Sequence, residues 1–180
     1  MGQPPPPGRL SDRGSALTEF PNGHTLGFKW NHREACVATL SQVVAVLGGS
    51  RALGRRMRSA RQFTELVRAG LPFAAFEAVM TRYGLTQEVL SATVKLPKST
   101  LARRRRSRRL TPEESDRLYR LARILAHATQ VFEDTEAVAD WLRSPIVALG
   151  KQDPLSLLDT DIGAGQVEQV LGRIEHGVIS

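Results

Sequence analysis

Between Leu71 and Pro97 the chain is cut into short apolar stretches, each opened by a proline or a hydroxyl residue and closed by glycine or proline. Such punctuation allows helices of two or three turns and leaves no room for long strands. "LPFAAFEAVMTRYG" starts at Pro72, places Phe73, Phe76, Val79 and Met80 on one face and stops at Gly84. "LTQEVLSATVKLP" follows, with Thr86 as cap, an apolar face of Val89, Leu90 and Val94, and Pro97 preventing continuation beyond about Lys95. "PKSTLARRRRSRR" begins a third helix, over 98–106, in which Leu101 is the one strongly apolar side chain. "LTPEESDRLYRLARILAHATQVF" opens with Thr111, Pro112 and Glu114, a capping box, and repeats Leu118, Leu121, Ile124, Leu125 and Val131 over about five turns. No window alternates with period two, so the fold class is all-α.

The rest of the chain fits that class. "REACVATLSQVVAVLGG" sets Ala35, Val37, Leu40, Val43, Val44 and Leu47 at helical spacing before Gly48 and Gly49; Ser50 then reads as a cap, and a second helix over about 60–68 ends at Gly70. Beyond the long helix, short capped segments follow at 135–142, 145–149, 154–158 and 162–175. Residues 1–33, with "PPPP" at 4–7, show no period and read as a flexible arm. The organisation expected is that arm, an N-terminal helical extension over 34–70, a helix-turn-helix over 71–123 and a helical block over 124–180.

Charge is divided unevenly among these parts. Residues 1–70 carry +6, residues 71–94 carry −1, residues 95–123 carry +8 and residues 124–180 carry −6. A polycation joined to a polyanion suggests one module for nucleic acid and one that stays clear of it, because phosphate repels the acidic part. Six of the cations lie between Arg103 and Arg109, interrupted only by Ser107. Two short helices with a tight turn, the second with a polar outer face, form a helix-turn-helix whose second helix enters the major groove. The residues placed there are Lys98, Ser99, Thr100 and Arg103 at base edges, with Arg104, Arg105, Arg106, Arg108 and Arg109 around and beyond the helix, some of them on phosphates. About five phosphate contacts would give a log–log salt slope on the order of −4 to −5. A solvated face or an arginine-rich RNA-binding segment is the alternative, but neither requires a capped scaffold in front of the run.

Nothing in the sequence assembles a catalytic constellation or implies a cofactor, so it does not read as an enzyme. His32 and Cys36 are spaced i, i+4 without a second ligand pair, His24, His127 and His176 are isolated, and Cys36 alone makes no internal disulfide. "GGSRALGR" at 48–55 lacks the Lys-Ser/Thr ending of a phosphate-binding loop. The apolar run at 43–47 is too short to cross a bilayer and the first residues lack a signal-peptide layout, so a soluble cytoplasmic protein that avoids membranes is expected. The last block has many apolar residues for its size, Trp141 among them, and part of its surface is expected to pair with another chain.

"WLRSPIVALGKQDPLSLLDTDIGAGQVEQVLGRIEHGV" resembles the C-terminal toxin-binding domain of Xre/MbcA/ParS-type bacterial antitoxins. The landmarks are Trp141-Leu142, Pro145, Ala148-Leu149-Gly150, Pro154-Leu155, Leu158 and the closing 171–177. "LGGSRALGRRMRSARQFTELVRAGLPFAAFEAVM" and "LPKSTLARR" resemble the N-terminal part and Xre-type helix-turn-helix of antitoxins paired with RES-domain toxins, so the resemblance extends over about 43–180. It implies an antitoxin whose C-terminal domain binds a RES-type toxin, an enzyme that consumes NAD, and whose last residues cover the toxin's active-site entrance. It also implies a homodimer that binds double-stranded promoter DNA and represses its own operon. Carried over residue by residue, Trp141, Arg173, Glu175, His176, Gly177 and Val178 are the toxin-binding candidates. A plain dimeric repressor, using 124–180 only for self-association, is the competing reading, and an arginine-rich RNA-binding protein the third.

Overall fold

A computed structural model of the chain describes residues 39–178 and, ahead of them, two short segments, Thr18–Glu19 and Thr25–Leu26. Those two segments form an antiparallel pair, β1 and β2, with Thr18 opposite Leu26 and Glu19 opposite Thr25. They belong to a unit of their own, residues 1–34, while residues 35–180 form a second compact unit. The rest of the arm, the His32–Cys36 pair, His24 and the first residues expected in the opening helix lie outside the described residues.

The second unit is all-α: α1 (Leu40–Val46), α2 (Gly49–Leu53), α3 (Ala60–Ala69), α4 (Phe73–Arg82), α5 (Gln87–Thr93), α6 (Lys98–Ser107), α7 (Pro112–Phe132), α8 (Thr135–Arg143), α9 (Pro154–Leu157) and α10 (Asp161–Glu175), with one 3₁₀ turn at Val147–Leu149. The long helix is the axis of the unit. α1, α3, α8 and α10 all pack on α7, and its second half is covered on most sides, burying Leu121, Ala122, Ile124, Leu125, Ala126 and Ala128. A helix surrounded in this way needs no single amphipathic stripe. Thr111 and Glu114 close its start as the capping box read from sequence.

Three expectations are corrected. Ser50 does not cap a helix: it lies inside α2, whose N-cap is Gly48 in the left-handed region at φ 85°. Gly48 is needed there, because a side chain would run into Ala52 and Ala78. The stretch 145–149 yields only one 3₁₀ turn, since Ile146 pairs with Gln152 in an isolated antiparallel bridge that folds the chain back on itself. The third helix of the middle region runs one residue past 106, to Ser107, and ends on Arg108 at φ 54°.

α8, the 3₁₀ turn, α9 and α10 form a small layer against the second half of α7. Trp141, 1% exposed, is in its centre with its ring 5.5 Å from that of Phe132. Gly163 lets the first turn of α10 meet the end of α9, where any side chain would collide with the Leu157 carbonyl.

Candidate nucleic-acid interface and partner surface

The helix-turn-helix geometry is built at residues 94–97. Val94 closes α5, Lys95 takes the left-handed conformation at φ 52°, the buried Leu96 donates its N–H to the Ser91 carbonyl at 2.8 Å, and Pro97 starts α6. Leu101 alone of the α6 side chains is buried. The helix is therefore held from both ends. At its C-terminal end the Arg108 carbonyl accepts from Phe73 N–H at 3.0 Å, Leu110 N–H donates to the Leu71 carbonyl at 2.9 Å, and Leu71 N–H donates to Ser115 Oγ at 2.7 Å. Gly70 makes this clasp possible, because its φ is 94° and a side chain would strike the Leu110 carbonyl.

The nine residues singled out on and after α6 divide into different tasks. Arg104 folds back: its Nε lies 2.7 Å from Glu114 Oε2 and 2.9 Å from Oε1, with the two side chains 17% and 9% exposed. It is a bolt between α6 and α7, so the expectation that Arg104 reaches nucleic acid is replaced by an internal role. Arg109 donates to the Ala69 carbonyl at 3.2 Å while remaining exposed. Arg105 reaches Glu77, Gln87 and the ring of Phe73, and Lys98 reaches Glu88. Ser99, Arg103 and Arg106 are exposed, lie three to four residues apart, and so share the side of the helix away from Leu101. Arg103, Arg106 and Arg108 make no ion pair or side-chain hydrogen bond among the described residues. Thr100 is half-buried beside that stripe. A row of unpaired guanidinium forks on an otherwise anchored helix suits phosphates and guanine edges.

Behind α6, Glu113 opens α7 with a carboxyl held below the usual range by its own backbone N–H at the helix start, then by the Thr111 hydroxyl, with Arg117 and Arg104 adding attraction.

The acidic block presents a second surface. The large hydrophobic side chains exposed among the described residues, Val147 (78%), Ile162 (81%) and Val178 (56%), all belong to it. A groove of about 370 Å³ lies between the 3₁₀ turn and α10, lined by Ala148, Leu149, Gly150, Gln166, Gln169 and Arg173 among others. Of the candidates at this end, Arg173 and His176 are exposed, His176 Nδ1 lying 2.6 Å from the Gly172 carbonyl. Glu175 is half-buried, 3.2 Å from His127 Nε2. Gly177 turns the chain at φ 65°, and Val178 N–H returns to the Arg173 carbonyl at 2.9 Å. Trp141 does not reach this surface. Its burial corrects the expectation that it touches a partner and makes it the support beneath one.

Sequence reasoning missed Glu114 as an anchor, Gly70 as a clearance, and Ile162 as an exposed position. Only the last had a signal: Ala164, Val167 and Leu171 set the inward face of α10, and Ile162 is out of phase with it.

Two family models match the chain: the antitoxin Xre-like helix-turn-helix domain over residues 62–123 and the antitoxin Xre/MbcA/ParS C-terminal toxin-binding domain over residues 127–177. Neither is an enzyme family. Among curated relatives, "Antitoxin Xre" of Yersinia enterocolitica serotype O:8 is 43% identical over 95 residues, 52% of this chain and 64% of the relative. "Antitoxin Xre" of Photorhabdus laumondii subsp. laumondii is 42% identical over 73 residues, 40% of this chain and 49% of the relative. "Prs ADP-ribosylating antitoxin" of a Sphingobium species is 24% identical over 125 residues, 64% of this chain and 79% of the relative. The matched stretch thus spans about half to two thirds of the length of the two Antitoxin Xre relatives.

Proposed function

We propose, for a chain that carries both the Xre-like helix-turn-helix and the Xre/MbcA/ParS toxin-binding domain, that it is an antitoxin with two tasks divided between its basic and acidic halves. The acidic half binds a RES-type toxin that consumes NAD, and residues 173–178 cover the entrance to that enzyme's active site. The basic half, as a homodimer, binds double-stranded promoter DNA and represses its own operon. Both tasks are carried out in the cytoplasm; no helix among the described residues is long and apolar enough to cross a membrane.

The observation that carries the reading is the separation of surface types. Among the described residues, unpaired cations stand on and just after α6, whereas the exposed large hydrophobic side chains stand on the block over 147–178. Phosphate favours the first and a protein partner the second. The Sphingobium relative's name places ADP-ribosylation, a reaction whose donor is NAD, beside an antitoxin, which favours an NAD-consuming partner. In the DNA complex, Arg103 is assigned to a base edge, Arg106 and Arg108 to phosphates, and dimer binding calls for inverted half-sites about 34–36 Å apart or a multiple of that.

The test is a salt-washed pull-down of the full chain from its native cell, beside the same chain ending at Gly172. Any stoichiometric partner is then expressed alone and assayed for toxicity and NAD loss. A toxic, NAD-depleting partner whose NAD consumption is blocked by the full chain but not by the shortened one meets the proposal. Recovery of promoter DNA alone, equally by both chains, would leave a plain repressor.

A further inference from the structure

Two α6 cations carry exposed acids from neighbouring helices. Lys98 Nζ lies 3.7 Å from Glu88 Oε1 on α5, and Arg105 Nε lies 3.5 Å from Glu77 Oε1 on α4, with Arg105 Nη2 also 3.4 Å from Gln87 Oε1. Unlike Glu114, which is buried and completes a helix cap, Glu77 and Glu88 are 46% and 61% exposed and do no comparable structural work. Ion pairs this open contribute little to stability. Each does cancel one positive charge on the surface that would face DNA, as a phosphate would.

We propose that Glu77 and Glu88 are built-in stand-ins for phosphate that weaken DNA binding without changing which sequence is read. The inference rests on the DNA-binding reading given above. When DNA approaches, phosphate displaces the carboxylate but leaves a negative group beside it, so the pair releases almost no counterions. The charge that α6 and the two residues after it bring to DNA is then set by Arg103, Arg106, Arg108 and Arg109, not by the full arginine run. Lys98, read from sequence as a base-edge candidate, is here assigned with Arg105 to phosphate, because each is paired with an acid on the flank of α6. Phosphate contacts carry no sequence information, so removing the acids strengthens binding to every duplex alike.

The experiment measures anisotropy of labelled duplexes, the promoter and a scrambled duplex of equal length, over a salt series, with the full-length protein. The variants are Glu77→Gln, Glu88→Gln and the double, each isosteric, with Glu136→Gln on α8 as a control for net charge. Each single variant is expected to tighten both duplexes roughly two- to fivefold and to steepen the salt slope by about 0.9, with the double additive, the promoter preference kept, and Glu136→Gln showing less. An unchanged slope, equal tightening by Glu136→Gln, or weaker promoter binding at unchanged melting temperature overturns the proposal. The last of these would make the pairs positioning devices for α6. If the wild-type chain binds neither duplex, the DNA reading itself fails, and the wild-type curves alone reveal it.

Discussion

α6 and α10 are both surface helices of one compact unit, and they solve opposite problems. α6 buries one side chain, Leu101, and depends on a bolt from its own Arg104 to Glu114 of α7 and on a clasp beyond its C-terminal end. α10 buries Gly163, Ala164, Val167, Val170 and Leu171 and is held by packing. Their charges differ in the same sense. Arg103, Arg106 and Arg108 face outward without partners among the described residues, whereas Asp161 and Glu168 of α10 turn back to Arg120 and Arg123 of α7 at 3.2 and 2.8 Å, and Asp159 pairs with Lys95 at 3.1 Å. The charge opposition legible in the sequence is therefore met in part at the rear, along the seam between α7 and α10, and left open at the front, on α6, while Glu133, Asp134 and Glu136 keep the start of α8 acidic and exposed. A net count describes neither surface. What α10 leaves exposed is apolar or uncharged for the most part, Ile162, Gln166 and Gln169 among it.

The contrast breaks first if the rear is not a packed core. Trp141→Ala is expected to cost about 3–5 kcal/mol in chemical denaturation, because it removes a fully buried ring packed on Phe132. Ile162→Ala should stay within about 0.5 kcal/mol of the wild type while weakening capture of the partner. A loss below about 1 kcal/mol for Trp141→Ala would mean that the ring is a contact residue after all.

At the front, Glu114→Ala removes both the bolt to Arg104 and half of the capping box. It should cost about 2–4 kcal/mol, since an almost buried guanidinium loses its partner. Promoter affinity should fall with it even though Glu114 touches no DNA. Stability lost with DNA affinity intact would show that α6 keeps its place without the bolt.

The unpaired arginines are expected to behave the other way. Arg103→Ala should cost roughly 1–3 kcal/mol of promoter binding and relax specificity at one base pair, and Arg106→Ala should weaken all duplexes alike and reduce the salt slope by about 1. Neither should shift the denaturation midpoint, because neither side chain has a partner among the described residues. Identical behaviour of the two variants would remove the distinction between base and phosphate contacts.

Helix order, the box at Thr111 and Glu114, the stop at Pro97 and the inward face of α6 are legible in the sequence, because they follow from local chemistry that acts over a few residues. The tasks of the arginines are not, since Arg104 and Arg103 are neighbours in the same run and differ only in what lies opposite them in the fold. Trp141 misleads as a contact residue for the same reason: a large aromatic is equally at home in a core or an interface. Ser50 fails as a cap because Gly48 and Gly49 start α2 ahead of the hydroxyl.

The smallest effect tests whether the seam between α7 and α10 matters at all. Arg123 and Glu168 meet at 2.8 Å with about a third of each side chain exposed, so water and salt weaken their attraction. A double-mutant cycle with Arg123→Met and Glu168→Gln should return a coupling of about 0.2–1 kcal/mol at low salt, shrinking as ionic strength rises. The pairs Arg120–Asp161, Arg123–Glu168 and His127–Glu175 follow in the same order along both helices, so each fixes the register of the next. A coupling that persists in high salt would point to a hydrogen-bonded register lock. A coupling of zero would leave apolar packing as all that holds α10 to α7, and would make the acidic charge of the rear a matter of solubility and partner choice.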